Sequence, residues 1–260
     1  MKKNWIIFLC LICTSFSNQR NDSDLSIGFW NVENLFDLEN DPDKRDDEFS
    51  LNGRKKVTKE IYDLKIKNSA EVLYDLNVDV LGLCEVENRK VLNDLNNSYR
   101  SRNYSIIHYD SPDERGIDNA LLYDKDKFSI ITSKPIQNNL GRDDKTRDIL
   151  YVKGLYKNSA LHIFVNHWPS NYGGKELAIP KRKSTALLIM QQISEIQKNE
   201  NNAEIILLGD FNEDPTDENV TLLYDLGFVS LMEPMIGIPK TGTYLYRGKD
   251  YFYDQIIINK

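Results

Sequence analysis

In the stretch "EIILLGDFNEDP" (Glu204 to Pro215) an apolar run stops abruptly at Asp210, with Asn212, Glu213 and Asp214 close behind. A short continuous apolar run of this kind predicts a strand buried on both faces. The pattern recurs at Leu25–Val32 ("LSIGFWNV"), Asp79–Val86 ("DVLGLCEV") and Leu161–Trp168 ("LHIFVNHW"). Further strands are expected at Tyr104–Asp110, Asn119–Asp124, Phe128–Thr132 and Ile149–Tyr156, with a last one over Asp250–Asn259. Two stretches have a helical period instead. Over Val57–Leu76, the residues Val57, Ile61 and Leu64 share one spacing, as do Ile66, Ala70 and Leu73. Over Lys181–Lys198, Ala186, Ile189, Met190 and Ile193 fall on one face. A short helix is expected near Asn219–Leu226, and the charged stretch "ENDPDKRDDE" reads as a loop. Consecutive strands, with long helices between two of the buried ones, predict an α/β sandwich in one domain over residues 21–260.

The amino terminus departs from this pattern. Two lysines precede an apolar run from Trp5 to Cys13, and small polar residues follow. That order predicts a secretory signal peptide over residues 1–20 and an exported, periplasmic or secreted protein. The run is too short for a mature membrane span. Cys10 and Cys13 lie inside it, so only Cys84 remains; it sits in an apolar strand and reads as a small core residue. The chain carries 33 basic and 40 acidic residues, a formal charge of −7. An acidic protein lacks a broad basic face, so any grip on a polyanion must be local or mediated by cations.

Candidate chemistry collects where the apolar strands end. Side chains alternate along a strand, so Asp210 and Asn212 are expected on one side, and Glu85 and Glu87 together on another. Asn31 follows an aromatic strand, Asn166 and His167 close a third, and Asp254 sits inside the apolar "YFYDQIII". An isolated carboxylate there is costly unless paired or bound to a cation. Carboxylates at strand ends suit a hard cation or a water to be deprotonated, and amides suit a phosphoryl oxygen. Asp110 or Asp113 is a candidate to orient His167, and Arg115, Arg147 and Arg182 are candidates to clamp a phosphate. The "GTYLYRGK" segment is a candidate substrate contact.

The segments "WNVENLFD", "LCEVEN", "RGIDNALLY", "VNHWPS", "GDFN" and "YDQIII" resemble, in order, those of the endonuclease/exonuclease/phosphatase superfamily. The similarity covers Leu25 to Asn259 and looks closest to exported bacterial members. It implies a four-layer α/β sandwich with two central, mostly antiparallel sheets, and hydrolysis of phosphate esters with Mg²⁺, or Mn²⁺ in its place. Glu85 resembles the principal metal ligand and Asn31 the amide beside it. His167 looks like the histidine that contacts the phosphate, and Asp210 and Asn212 look like the pair that positions water and phosphoryl oxygen. Asp254 looks like the acid that holds a second, C-terminal histidine. Asn166, Arg115 and Arg182 are assigned with Asn31 to the substrate. The implied partner is nucleic acid, DNA foremost. The family pattern continues into a Ser-Asp-His motif and a final strand, neither of which this sequence has, so a sandwich lacking its last strand is expected. A non-catalytic remnant of the family is therefore one alternative, and a phosphatase or phosphodiesterase acting on lipid or inositol phosphates is the other. The enzyme reading requires Glu85 and Asp210 within roughly 10 Å of each other.

Overall fold

The computed structural model describes residues 24–141 and 144–259; the apolar leader lies outside them. Its strands are β1 (Ile27–Leu35), β2 (Val80–Val86), β3 (Ser105–His108), β4 (Asp118–Tyr123), β5 (Ser129–Ile136), β6 (Ile149–Tyr156), β7 (Ser159–His167), β8 (Glu204–Asp210), β9 (Phe228–Ser230), β10 (Tyr244–Tyr246), β11 (Lys249–Tyr251) and β12 (Asp254–Asn259). Its helices are α1 (Lys59–Leu76), α2 (Arg89–Ser98), α3 (Lys175–Asn199) and α4 (Glu218–Tyr224). One sheet has the order β1-β2-β4-β3 and the other β5-β6-β7-β8-β12-β9, while β10 and β11 form a separate hairpin.

The two sheets pack face to face through Phe29, Cys84, Leu121, Phe128, Val165 and Leu208. Cys84 is fully buried there, as its apolar neighbours predict. Helices α1 and α2 cover the outer face of the first sheet through Leu73, Leu76, Leu92 and Leu95. Helices α3 and α4 cover the second through Ala186, Ile189, Ile193 and Leu223. The result is the expected four-layer sandwich. Within the two sheets every pairing is antiparallel except β1–β2 and β7–β8. Each parallel pair is joined by a helical crossover, α1 in one sheet and α3 in the other, as parallel strands require.

Several expectations need correction. Helix α1 starts at its Thr58 cap, whose hydroxyl accepts from the Ile61 N–H at 3.4 Å. Its buried stripe runs through Tyr62, Ile66, Ala70, Leu73 and Leu76, while Ile61 and Leu64 are exposed. Helix α2, which the sequence did not suggest, is capped by Asn88 and buries Val91, Leu92 and Leu95. Helix α3 begins at Lys175, six residues before the expected start, and carries Pro180 inside it. The single last strand expected over Asp250–Asn259 is two elements, β11 and β12. β12 lies inside its sheet, between β8 and β9.

A buried ionic knot holds the start of the first sheet. The Asp79 carboxylate accepts from the Ser26 N–H at 2.8 Å and the Ser26 hydroxyl at 2.7 Å, and it pairs with Lys127 at 3.1 Å and with Arg102. Desolvation pushes this carboxyl up, but the donors outweigh it and bring it down to about 2 from 3.8. A carboxyl depressed on folding contributes stability that is complete above pH 3.8 and is lost as pH falls toward 2. Asp79→Asn is expected to cost about 2 kcal/mol near neutral pH. Urea midpoints of parent and variant should converge between pH 4 and pH 2. A gap that stays constant over that range would remove Asp79 from the acid response.

Candidate active site at the rim of the two sheets

The two parallel pairs bring their carboxyl ends to one rim of the sandwich. β1 and β2 deliver Asn31 and Glu85 from the first sheet, and β7 and β8 deliver His167 and Asp210 from the second. Asp254, at the start of β12, sits directly across the ladder from Asp210. The Asn31 side-chain amide donates to Asp210 Oδ2 at 3.1 Å, joining the sheets. His167 Nε2 lies 3.8 Å from Glu85 Oε1 and 3.9 Å from Asp210 Oδ2. Both carboxylates therefore lie within 4 Å of one imidazole nitrogen, inside the separation the enzyme reading requires.

The backbone is bent to aim these groups. Between Asn31 and Leu35 on β1, and at Glu85 on β2, the register slips. Glu85 is the extra residue opposite β4, where Cys84 pairs with Asn119 and Val86 with Asp118. Such a bulge re-aims a side chain. Glu33, Asn34, Glu85 and Asn212 all have positive φ, between 52° and 62°. Non-glycine residues rarely adopt that region unless their surroundings hold them there, and they gather at functional sites. The Asn34 N–H donates to Glu85 Oε2 at 2.9 Å, and Lys65 donates to the carbonyls of Glu33 and Asn34. Gly209, just before Asp210, allows β7 and β8 to meet here: a Cβ would lie 2.5 Å from the Asn166 carbonyl oxygen.

Burial and like charge set the electrostatics. Desolvation lifts the Asp210 carboxyl, and Glu85 adds to the lift; the Asn212 N–H and the Asn31 amide oppose it, leaving Asp210 at about 6. Burial, then Asp210 and Glu85, push the Asp254 carboxyl well above its ordinary range. Burial drives His167 the other way, with Arg147 and Arg115 adding to the effect, so its imidazole is neutral. Its Nε2 faces two carboxylate oxygens, while its Nδ1 is buried without a hydrogen-bond partner among the described residues.

The sequence-derived residues divide clearly. Asn31, Glu85, His167, Asp210 and Asp254 converge. Arg115 is half-exposed, 3.8 Å from Asp113, and close enough to act on His167. Asn166 does not face the site. It is fully buried, and its amide donates to the Phe164 and Leu208 carbonyls, because alternation along β7 turns it away from His167. Arg182 is also fully buried, 2.7 Å from Glu213, and donates to the Pro169 carbonyl at 2.9 Å. It is an internal strut, not a phosphate clamp. Asn212 does not share a strand face with Asp210, since β8 ends first. Its N–H holds Asp210 Oδ1 at 2.9 Å and its side chain donates inward to the Trp168 carbonyl at 3.0 Å. Arg147 donates to that same carbonyl and to Asp113. Asp113 is thus engaged, and Asp110 is exposed beside His108, so neither orients His167. Glu87 points away from Glu85 and accepts from the Asp37 N–H at 2.6 Å, because the bulge breaks the alternation.

Residue patterns gave no sign of Lys65 or Glu33. The "GTYLYRGK" segment is the β10–β11 hairpin, and its Tyr244 feels the charges of Asp210 and Glu33, which sets it beside the rim. Tyr244 stacks on Tyr253 at 5.2 Å and on Tyr246 at 6.2 Å.

The endonuclease/exonuclease/phosphatase family matches residues 26–260, which include every converging side chain. The chain belongs to that family. Its members are hydrolases of phosphate-ester bonds and are generally dependent on divalent metals, so the rim is a candidate site of that class. Solved structures with the same fold include Danio rerio TDP2 complexed with single-strand DNA product, at 17% identity and TM-score 0.61, covering 92% of this chain and 84% of that one. A Bacteroides thetaiotaomicron mannosyl-6-phosphatase matches at 18% identity and TM-score 0.62, covering 91% and 85%. The human Nocturnin catalytic domain with bound sulfate matches at 18% identity and TM-score 0.57, covering 75% of each chain. No curated protein sequence matches.

The donors at the family's rim are chemically suited to a hard divalent cation. Glu85 and Asp210 are each 13% exposed, enough to be reached from solvent, and both offer oxygen. Among the described residues the Asn31 side-chain oxygen accepts the Glu33 N–H alone, at 2.9 Å, leaving a lone pair. Among the described residues, groups of three acidic or histidine ligand atoms within 4.8 Å of one another occur elsewhere. A cation here would keep much of its water shell, as Mg²⁺ does.

Proposed function

We propose that this family member is a Mg²⁺-dependent phosphodiesterase acting on nucleic acid, exported from the cell. The observation that carries the reading is the convergence of Glu85 and Asp210, from different sheets, on the single Nε2 of a neutral, buried His167. With a carboxyl near 6, Asp210 is ionised at neutral pH yet basic enough to take a proton from an attacking water. Asn31 holds one Asp210 oxygen and the Asn212 N–H holds the other, fixing the direction of that transfer. The His167 Nε2–H is a donor for a phosphoryl oxygen as charge builds there. Arg115 is the exposed cation at hand for a second oxygen. Mg²⁺, or Mn²⁺, held by Glu85 and the Asn31 side-chain oxygen would supply neutralisation of the phosphate charge and polarisation of the phosphoryl oxygen.

The β10–β11 hairpin supports nucleic acid as the substrate. Tyr246, Tyr244 and Tyr253 stack in series and Tyr251 packs tilted against Tyr253, with Arg247 over Tyr246 and Lys249 over Tyr251. Aromatic faces backed by cations are a sequence-tolerant platform for bases, and they give an acidic protein the local grip it needs. Export rests on the basic-apolar-polar order of the first 20 residues.

The test is a substrate panel run on full-length protein recovered from the extracytoplasmic fraction: plasmid DNA, RNA, bis-p-nitrophenyl phosphate, sphingomyelin, inositol phosphates and mannose 6-phosphate, each with Mg²⁺ or Mn²⁺. Nicked plasmid and hydrolysed diester are expected, both abolished by EDTA. Turnover confined to monoesters or lipid would overturn the nucleic-acid assignment. Protein found only in the cytoplasmic fraction, with Met1 still at its amino terminus, would overturn export.

A further inference from the structure

A second cluster of carboxylates lies behind the rim, where the loop after β1 meets the end of β2. One ligand oxygen each from Asp41, Asp46 and Glu87 gathers within 4.8 Å. Asp46 is 1% exposed and Glu87 5%. Asp46 Oδ2 accepts from the Asp41 N–H at 2.9 Å, but Asp46 Oδ1 is buried with no hydrogen-bond partner among the described residues. A buried carboxylate oxygen without a donor is costly.

The nearby cations do not offset it. Lys44, in the same loop, donates to the Ser111 and Asp113 carbonyls at 3.1 and 3.0 Å. Arg45 pairs with Glu114 at 2.7 Å. Lys90 reaches Asp37, at 3.1 Å, whose other oxygen takes the Glu39 N–H. The loop's positive charges thus make their hydrogen bonds elsewhere, Lys44 eases Asp41 less than Asp46 and Asp37 crowd it, and three acids face one another around an unsatisfied oxygen.

We propose that Asp41, Asp46 and Glu87 form a Ca²⁺ site separate from the catalytic rim. The donors are all oxygen, which selects a hard cation. They come from an irregular loop and a strand end, and Asp41 is exposed, so waters can complete the six to eight oxygens that Ca²⁺ takes in flexible geometry. Mg²⁺ demands near-octahedral ligands and sheds water reluctantly. The site clips the loop following β1 to Glu87, two residues past the Glu85 bulge, and so braces the backbone that aims Glu85. The proposal does not depend on the substrate assigned above.

The experiment uses full-length protein carrying Glu85→Gln and Asp210→Asn, so that the rim carboxylates are removed, after treatment with a chelator. Calorimetric titration with CaCl₂ is expected to give saturable one-site binding, and millimolar CaCl₂ to raise Tm by about 4 °C or more. Adding Glu87→Gln or Asp41→Asn should weaken binding at least tenfold; Asp41→Asn, at the exposed ligand, serves if the buried change impairs folding. No Ca²⁺ binding in the rim-disabled protein, unchanged affinity in Asp41→Asn, or an equal Tm shift with Mg²⁺ would each overturn the assignment.

Discussion

Asp210→Asn is expected to slow hydrolysis of bis-p-nitrophenyl phosphate by about 10²- to 10⁴-fold, the range for loss of a general base, while Tm stays level or rises. The two effects share one cause. Asp210 is largely shielded from water beside Glu85 and across the ladder from Asp254; desolvation, with Glu85 adding to it, lifts its carboxyl to about 6. Asparagine keeps the volume and removes a buried charge, so the repulsion is relieved. It also presents an NH₂ where Asn31 donates, at 3.1 Å, and Asn31 must turn away. Activity is thus lost twice over, through the missing base and through the displaced amide, while the fold gains. Steady-state kinetics and a thermal melt on the same preparation decide the matter. Turnover within about threefold of the parent would remove Asp210 from the chemistry.

Arg182→Met is expected to lower stability by about 3–5 kcal/mol, the usual cost of removing one partner from a buried ion pair. Glu213, itself almost fully buried, would keep only its bonds from Asn219, at 2.8 and 3.2 Å. The Pro169 carbonyl and the Asn171 side chain would also lose their donor. Those residues follow His167, so the loop leaving β7 should loosen as well. Chemical denaturation measures the loss, and Arg182→Met with Glu213→Leu should recover part of it, since an apolar pair of similar size often replaces a buried ion pair without penalty. An unchanged urea midpoint with a raised KM would instead return Arg182 to the substrate.

The position of Arg182 was written in the sequence. Ala178, Arg182, Ala186, Ile189 and Ile193 fall at steps of three and four along α3, and all are buried. Pro180 concealed this: it made the helix appear to begin after it, leaving Arg182 in an apparent basic start at Lys181–Lys183. Asn31, Glu85, His167, Asp210 and Asp254 were legible because a polar group at the end of an apolar run needs a partner, and five such groups can share one. Glu87 and Asn212 were misplaced for the opposite reason. Strict alternation fails where φ turns positive, at Glu85 and at Asn212; glutamate gives no hint of that turn, and asparagine, which tolerates it, gives only a weak one. Helix α2 has only three buried apolar residues and drew no assignment from the pattern. The break between β11 and β12 falls within an unbroken aromatic stretch, which is why one strand was expected there. The α/β sandwich survived these errors because it follows from the long buried runs; its four layers were implied by the family resemblance.

The rim is divided between two lengths of chain. Asn31 and Glu85 belong to the sheet that is complete by Tyr123, and His167, Asp210 and Asp254 to the one that begins at Ser129. Neither sheet owns the candidate set, so the greasy layer of Phe29, Phe128 and Leu208 that glues them together is as much a part of the site as the carboxylates it holds in register.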